Sequence, residues 1–209
     1  MDIAFLITTC NRKESCQRLV DALAGLGDIY VMKDGNHYDI SGATQSHFRH
    51  RMGREGYWKV VNWLFAMRTA HKYYIMLPDD FMPAKDMVKE AIRIWEGIDD
   101  PNKICLNLLT DRVGQTCWTN FKPIDKGSTY LTQWVDMCFL CEEKFFWALG
   151  KLPEVSVMFR GTHSSSGVGR YISKYLSKLG YNLYQVKESL VIPQAEHGTS
   201  QMHDKYGVK

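Results

Sequence analysis

The stretch 73–83 constrains the fold more than any other part of the chain. Five apolar residues in a row, Tyr73, Tyr74, Ile75, Met76 and Leu77, read as a buried strand, and two adjacent carboxylates, Asp79 and Asp80, stand where it ends. Open α/β sheets bind ligands at the carboxyl ends of their strands. A hard cation that carries phosphates takes one or two carboxylates at such a place, with waters completing its shell. The competing reading is a helix start, where Asp79 and Asp80 merely favour the positive helix end. The rest of the chain has to separate the two.

Residues 3–8 form a predicted first strand, and the polar turn Thr8, Thr9, Cys10, Asn11 and Arg12 opens an amphipathic helix carrying Leu19, Val20, Leu23 and Leu26. A second strand, 29–32, runs into Lys33, Asp34, Gly35 and Asn36, a turn signal with an acid again at the strand end. Strand, helix and strand over this length make a βαβ unit. The segment 37–56 is polar, contains Arg49, Arg51 and Arg54, and is expected to be a functional loop. A largely buried helix is predicted over 57–69, with Lys59 and Asn62 on a narrow polar stripe that faces either solvent or a ligand held by Asp79 and Asp80.

The spacing then predicts a helix over 84–95, a strand over 103–109 and strand over 129–140, interrupted by Trp134, Val135 and Asp136. An acid inside that aromatic run needs a hydrogen-bonding partner or a chemical role. A short helix over 142–149 precedes a serine-rich segment, His163, Ser164, Ser165 and Ser166, which reads as the N-terminal signal of a helix over 168–179. On that helix Arg170, Lys174 and Lys178 recur every four residues. Such a stripe is either a solvated face or a track for a phosphate backbone. A final strand pair, 183–186 and 189–192, precedes a tail with His197 and His203.

A chain of 209 residues with 45% apolar and 23% charged residues fits one large globular domain. The net charge of +3 does not by itself argue for a nucleic-acid partner. The start lacks a basic n-region, and no segment approaches the roughly 18 apolar residues of a membrane span, so a cytoplasmic protein is expected. Of six cysteines, Cys138 and Cys141 have zinc-like spacing, but no second pair completes a tetrahedral set, and they are read as small buried hydrophobes.

Taken together, the first strand with its turn to Arg12, Asp34-Gly35-Asn36, Leu77-Pro78-Asp79-Asp80 and a late His197 resemble nucleotide-sugar glycosyltransferases of the glycosyltransferase-A fold. The chain looks most like the short family-2-type enzymes of bacteriophages, along nearly its whole length. The resemblance implies an α/β fold, a Rossmann-like and mostly parallel sheet flanked by helices in a single domain. It also implies a nucleotide-sugar-binding half (1–109), an acceptor half (110–192) and a tail (193–209) that closes over the diphosphate. Thr8, Thr9, Asn11, Arg12 and Asp34 would contact the donor, together with Lys59, Asn62, Asp79 and Asp80. The metal, Mn2+ or Mg2+, would sit on Asp79, Asp80 and His197, and the expected donor is a UDP-sugar.

The sequence departs from that family in two places. Pro78 occupies the position of a usual carboxylate, and Ser164-Ser165-Ser166-Gly167 replaces the acidic pair that inverting members carry before the late helix. A general base must still take the acceptor proton in an inverting displacement. Asp136 is the first substitute and His163 the second; with neither, a retaining mechanism is open. Phage enzymes of this kind add sugars to hydroxymethylated pyrimidines in DNA, which would place Trp118, Ser165, Ser166, Arg170 and Lys174 against a flipped base and its phosphates. A cell-surface glycan or lipid-linked sugar is the alternative acceptor. A sugar nucleotidyltransferase usually has a glycine-rich phosphate loop, and residues 8–12 contain no glycine; a non-catalytic binding module is the remaining class.

Overall fold

The structure, a computed structural model, describes residues 2–35, 37–110, 122–135, 137–155 and 166–194. Its centre is β1 (Ile3–Thr9), buried along its whole length because the sheet continues on both sides and helices cover both faces. Strand β1 pairs in parallel with β2 (Asp28–Lys33) and with β4 (Tyr73–Pro78), and β3 (Thr44–His47) extends β2, also in parallel. Beyond β4 the sheet continues with β9 (Phe139–Cys141), β6 (Lys103–Asn107), β10 (Asn182–Val186), β8 (Thr129–Thr132) and β7 (Ile124–Asp125), where β9, β8 and β7 make antiparallel pairings. A separate antiparallel pair joins β5 (Phe81–Pro83) to β11 (Val191–Pro193).

The alternation along β1 divides the interior into two cores. Ile3, Phe5 and Ile7 point to one face, where α1 (Lys13–Leu23) contributes Cys16, Leu19, Val20 and Leu23 and α3 (Met87–Glu96) contributes Met87, Val88, Ala91 and Trp95. Ala4 and Leu6 point to the other, covered by α2 (Gly53–Met67), α4 (Glu143–Leu149) and α5 (Val168–Lys178). The result is a three-layer α/β sheet of the expected class. Among the described residues no helix is long and apolar enough to cross a membrane.

Several boundaries differ from expectation for physical reasons. The expected polar loop 37–56 contains β3 and the first turn of α2. That helix begins at Gly53 rather than at residue 57, because Asp34, 19 positions upstream of Gly53, accepts hydrogen bonds from the Met52 and Gly53 amides (2.5 and 2.9 Å). Gly35 permits this approach. Its φ is +76°, and an added Cβ would lie 2.5 Å from the Arg51 amide nitrogen. The expected strand 129–140 is two strands in different parts of the sheet, β8 on β10 and β9 between β4 and β6. The last two strands do not pair with each other, since β10 joins the large sheet and β11 joins β5.

The polar stripe of α2 also has another role than expected. The Asn62 side chain donates to the Leu152 carbonyl (2.8 Å) and accepts from the Leu152 amide (2.9 Å), which clamps α2 to the segment after α4. Lys59 is exposed, with its ammonium over the Trp58 ring at 5.3 Å. Replacing Asn62 by Ala leaves the Leu152 amide and carbonyl without this partner, and we expect a loss of about 1–3 kcal/mol of stability in denaturant unfolding. Unchanged stability would overturn the clamping role of Asn62.

Candidate functional site

Three strands deliver their carboxyl ends to one place. The Asp34 amide, after β2, donates to the Thr9 carbonyl (2.9 Å), and the Asp79 amide, after β4, donates to the Thr8 carbonyl (3.1 Å). Strand order reverses here, since β2 and β4 flank β1 on opposite sides; this is the crevice position of an open α/β sheet. The hydroxyls of Thr8 and Thr9 are 2.9 and 2.8 Å from the phenols of Tyr57 and Tyr38. Burial raises the pKa of both phenols, so each stays a neutral hydrogen-bonding group.

The turn after β1 supplies the central cation. Asn11 has φ +56°, a left-handed conformation that asparagine tolerates, and Arg12 follows as the N-cap residue of α1. Its guanidinium reaches both acids, with Nη2 2.5 Å from Asp79 Oδ1 and Nη1 3.5 Å from Asp80 Oδ2. Asp79 is fully buried, whereas the Asp80 side chain is 20% exposed. The contact to Asp79 is short but badly aligned. Among the described residues neither Asp79 oxygen accepts a well-formed hydrogen bond, and the buried Arg12 Nε has no partner.

The two partners respond differently to this environment. Burial pushes the Asp79 carboxyl up to about 7, against the opposing pull of Arg12 and Thr9. For Arg12 burial works against the charge, but attraction to Asp79 and Asp80 outweighs it and raises its pKa. One guanidinium shared between two acids stays charged, while the deeper acid lacks sufficient compensation.

A cleft of about 260 Å³ opens beside this pair. Arg12, Arg51 and Arg54 line it, with Thr8, Thr9 and Asp34 at the strand ends, Tyr57 and Val60 from α2, and Ser166 from the approach to α5. Arg12 thus stands between the cleft and the acids. The cleft suits an anion with polar groups at one end. Arg51 and Arg54 were expected as cations of a functional loop; the cap that Asp34 makes on α2 brings them here.

Gln194 is a residue that sequence reasoning missed, and an isolated glutamine after proline carries no signal. Its backbone amide donates to the Asp80 carbonyl (2.7 Å), and its side chain donates to the carbonyls of Asp79 (3.0 Å), Ser15 (3.3 Å) and Phe81 (3.4 Å) and accepts from Arg18 (3.0 Å). It fixes the acidic turn to α1 and to the end of β11.

Of the expected site residues, Thr8, Thr9, Arg12, Asp34, Asp79, Asp80 and Ser166 converge at or beside the cleft, and Asn11 lies in its rim turn. Lys59 and Asn62 do not. Arg170 and Lys174 continue along α5 away from Ser166. Asp136, His163, His197, Trp118 and Ser165 lie outside the described residues. Val135, beside Asp136, is buried and held by Ser173 of α5, whose hydroxyl accepts from its amide (2.8 Å).

Because the folded Asp79 carboxyl holds its proton to about pH 7 and an unfolded one releases it near 3.8, the native state binds more protons between those values. Stability therefore falls as pH rises from about 4 to 7. We expect Asp79→Asn to flatten this slope in pH-dependent thermal unfolding; an identical slope in the variant would assign the proton elsewhere.

No protein-family model matches the sequence, and no curated protein matches it. Solved structures do. GalNAc-T7 with UDP, GalNAc and Mn2+ superposes with a TM-score of 0.59 at 14% identity, covering 90% of this chain and 42% of that one. Glucosyl-3-phosphoglycerate synthase from Mycobacterium tuberculosis with Mn2+, UDP and phosphoglyceric acid superposes with a TM-score of 0.58 at 13% identity, covering 98% of this chain and 73% of that one. The same synthase with Mn2+ and UDP-glucose gives 0.58 at 14% identity. The chain spans less than half the length of the GalNAc-T7 chain and about three quarters of the synthase. At these identities the likeness concerns architecture, and the chain has the glycosyltransferase-A fold.

Proposed function

We propose that the protein is a metal-dependent glycosyltransferase that moves a sugar from a nucleoside-diphosphate sugar, a UDP-sugar first, to a hydroxyl acceptor. The observation that carries this reading is the convergence of Arg12, Arg51 and Arg54 with the Asp79-Asp80 pair at the point where strand order reverses. Three guanidiniums in a small cleft recognise phosphate oxygens, and the fold neighbours were solved with UDP or UDP-glucose and Mn2+ or Mg2+.

The residues fit a divalent ion. Among the described residues, the two buried Asp79 oxygens accept no well-formed hydrogen bond, and Asp80 is open to the site. Among the described residues no group of three or more His, Cys, Asp or Glu could hold a metal. The acids would therefore hold Mn2+ or Mg2+ together with the donor's phosphates and water, which suits these hard cations. Position 194 is bonded to Asp80, and His197 follows three residues later, which supports its expected role as a further ligand. Bound there, the metal neutralises charge on the leaving diphosphate.

The chain's own residues then divide the work. Thr8, Thr9 and Asn11 take the nucleoside, with Tyr57 fixing the Thr8 hydroxyl, and Asp34 adds the lone pairs that its bonds to the Met52 and Gly53 amides leave over; Arg51 and Arg54 take phosphate oxygens. Asp136 or, failing it, His163 removes the acceptor proton. The support for Asp136 is its neighbour Val135, anchored to the helix whose N-terminal approach carries Ser166 into the cleft.

For the acceptor we propose a 5-hydroxymethylpyrimidine in DNA. From Ser166 the basic stripe of α5 leads away from the cleft through Arg170 to Lys174 and Lys178, both lysines exposed, with roughly 6 Å of helical rise between successive cations. That spacing suits neighbouring phosphates of a strand whose flipped base reaches the donor sugar.

Asp80→Ala should lower Mn2+-dependent turnover of UDP-sugars at least 100-fold in a donor-hydrolysis assay; retained turnover would remove Asp80 from the site. Charge reversal of Arg170, Lys174 and Lys178 to Glu should weaken binding of hydroxymethylcytosine DNA and flatten its salt dependence, with donor hydrolysis unchanged. Unaltered DNA affinity would dismiss DNA and turn the acceptor search to surface glycans and lipid-linked sugars.

A further inference from the structure

The acidic pair already has a cation of its own. Arg12 lies in ion-pair contact with both Asp79 and Asp80, and it does so from the wall of the cleft in which the diphosphate is proposed to bind. With both acids ionised, one guanidinium leaves one negative charge uncompensated, a deficit that Asp79 otherwise meets by keeping its proton, whereas one divalent ion balances the ionised pair completely. The guanidinium is poorly served in this position. Its contact to Asp80 is long at 3.5 Å, its contact to Asp79 is misaligned, and its buried Nε donates to nothing among the described residues.

We infer that Arg12 is an internal counter-ion that the metal displaces from Asp79 and Asp80 and that transfers to the donor's diphosphate, so that metal and nucleotide bind as a coupled pair. The inference rests on the proposed glycosyltransferase reading. A phosphate offers Arg12 what the acids do not, two oxygens in the plane of its fork. Arg51 and Arg54 already line that cleft, so the transfer completes an existing group of cations. Without nucleotide, the metal has to evict Arg12 into a cleft that holds two other guanidiniums. With nucleotide present, the same displacement gains a phosphate contact. By reciprocity, metal must then strengthen nucleotide binding by the same factor as nucleotide strengthens metal binding. Arg12 is accordingly a positioning residue that sets the order in which the site fills.

The test is Mn2+ binding followed by electron paramagnetic resonance, with and without UDP, in the wild-type protein and in Arg12→Gln, Arg12→Lys and Asp80→Asn. We expect Arg12→Gln to bind Mn2+ without UDP about tenfold more tightly than wild type, and to gain about tenfold less than wild type from added UDP. Arg12→Lys keeps the charge but cannot span both acids, so it should fall between the two; it decides the matter should Arg12→Gln not fold. Wild-type Mn2+ affinity and undiminished UDP coupling in both Arg12 variants would overturn the inference, and the proposed function would stand. If wild type binds neither Mn2+ nor UDP, or Asp80→Asn binds Mn2+ as wild type does, the reading of the site falls and this inference with it.

Discussion

Charge compensation at the carboxyl end of β1 is the constraint on which the rest of this site depends. Backbone hydrogen bonds from Asp34 and Asp79 to the last residues of β1 fix the ends of three parallel strands together, so acids at those ends cannot spread apart. Asp79 is consequently enclosed, with burial working against its charge, and the nearest remedy within the chain is Arg12. An arginine at the end of a tight turn, held there by a left-handed Asn11, meets that need only in part. The site is therefore built around incomplete neutralisation, which is a good starting point for binding a divalent ion and an anion together.

The scaffold around this point spends polar groups on holding it still. Asp34 does not face the cleft as a free acid; its oxygens accept from the first amides of α2 and thereby set where that helix begins and where Arg51 and Arg54 stand. Gln194 performs the corresponding task on the other side, tying the acidic turn to α1 and to the end of β11. A site that must place charges within a fraction of an ångström benefits from such supporting contacts.

Much of this architecture was legible in the residues. The unbroken apolar runs of β1 and β4 announced strands buried on both faces, and the acids after β2 and β4 marked strand ends that meet in space. What was not legible depended on partners far away in sequence. Residue 53 starts α2 because Asp34 caps it, which no local pattern around Gly53 and Gly56 reveals. Asn62 looked like a ligand-facing polar group, and its partner is a backbone 90 residues later. The run 129–140 has the composition of one strand, but its two ends pair with different neighbours in the sheet. Arg12 was expected as a donor contact; its hold on both acids follows from the left-handed turn and appears only in three dimensions.

The central claim is that the cleft beside the acidic pair holds a nucleoside diphosphate with its metal. Anomalous diffraction at the manganese edge, from crystals soaked with MnCl2 and UDP, examines this most directly. The account predicts one strong peak in direct coordination with Asp80, with diphosphate density between it and Arg51 and Arg54. A manganese peak remote from Asp80, or UDP bound elsewhere with this cleft unchanged, would contradict it.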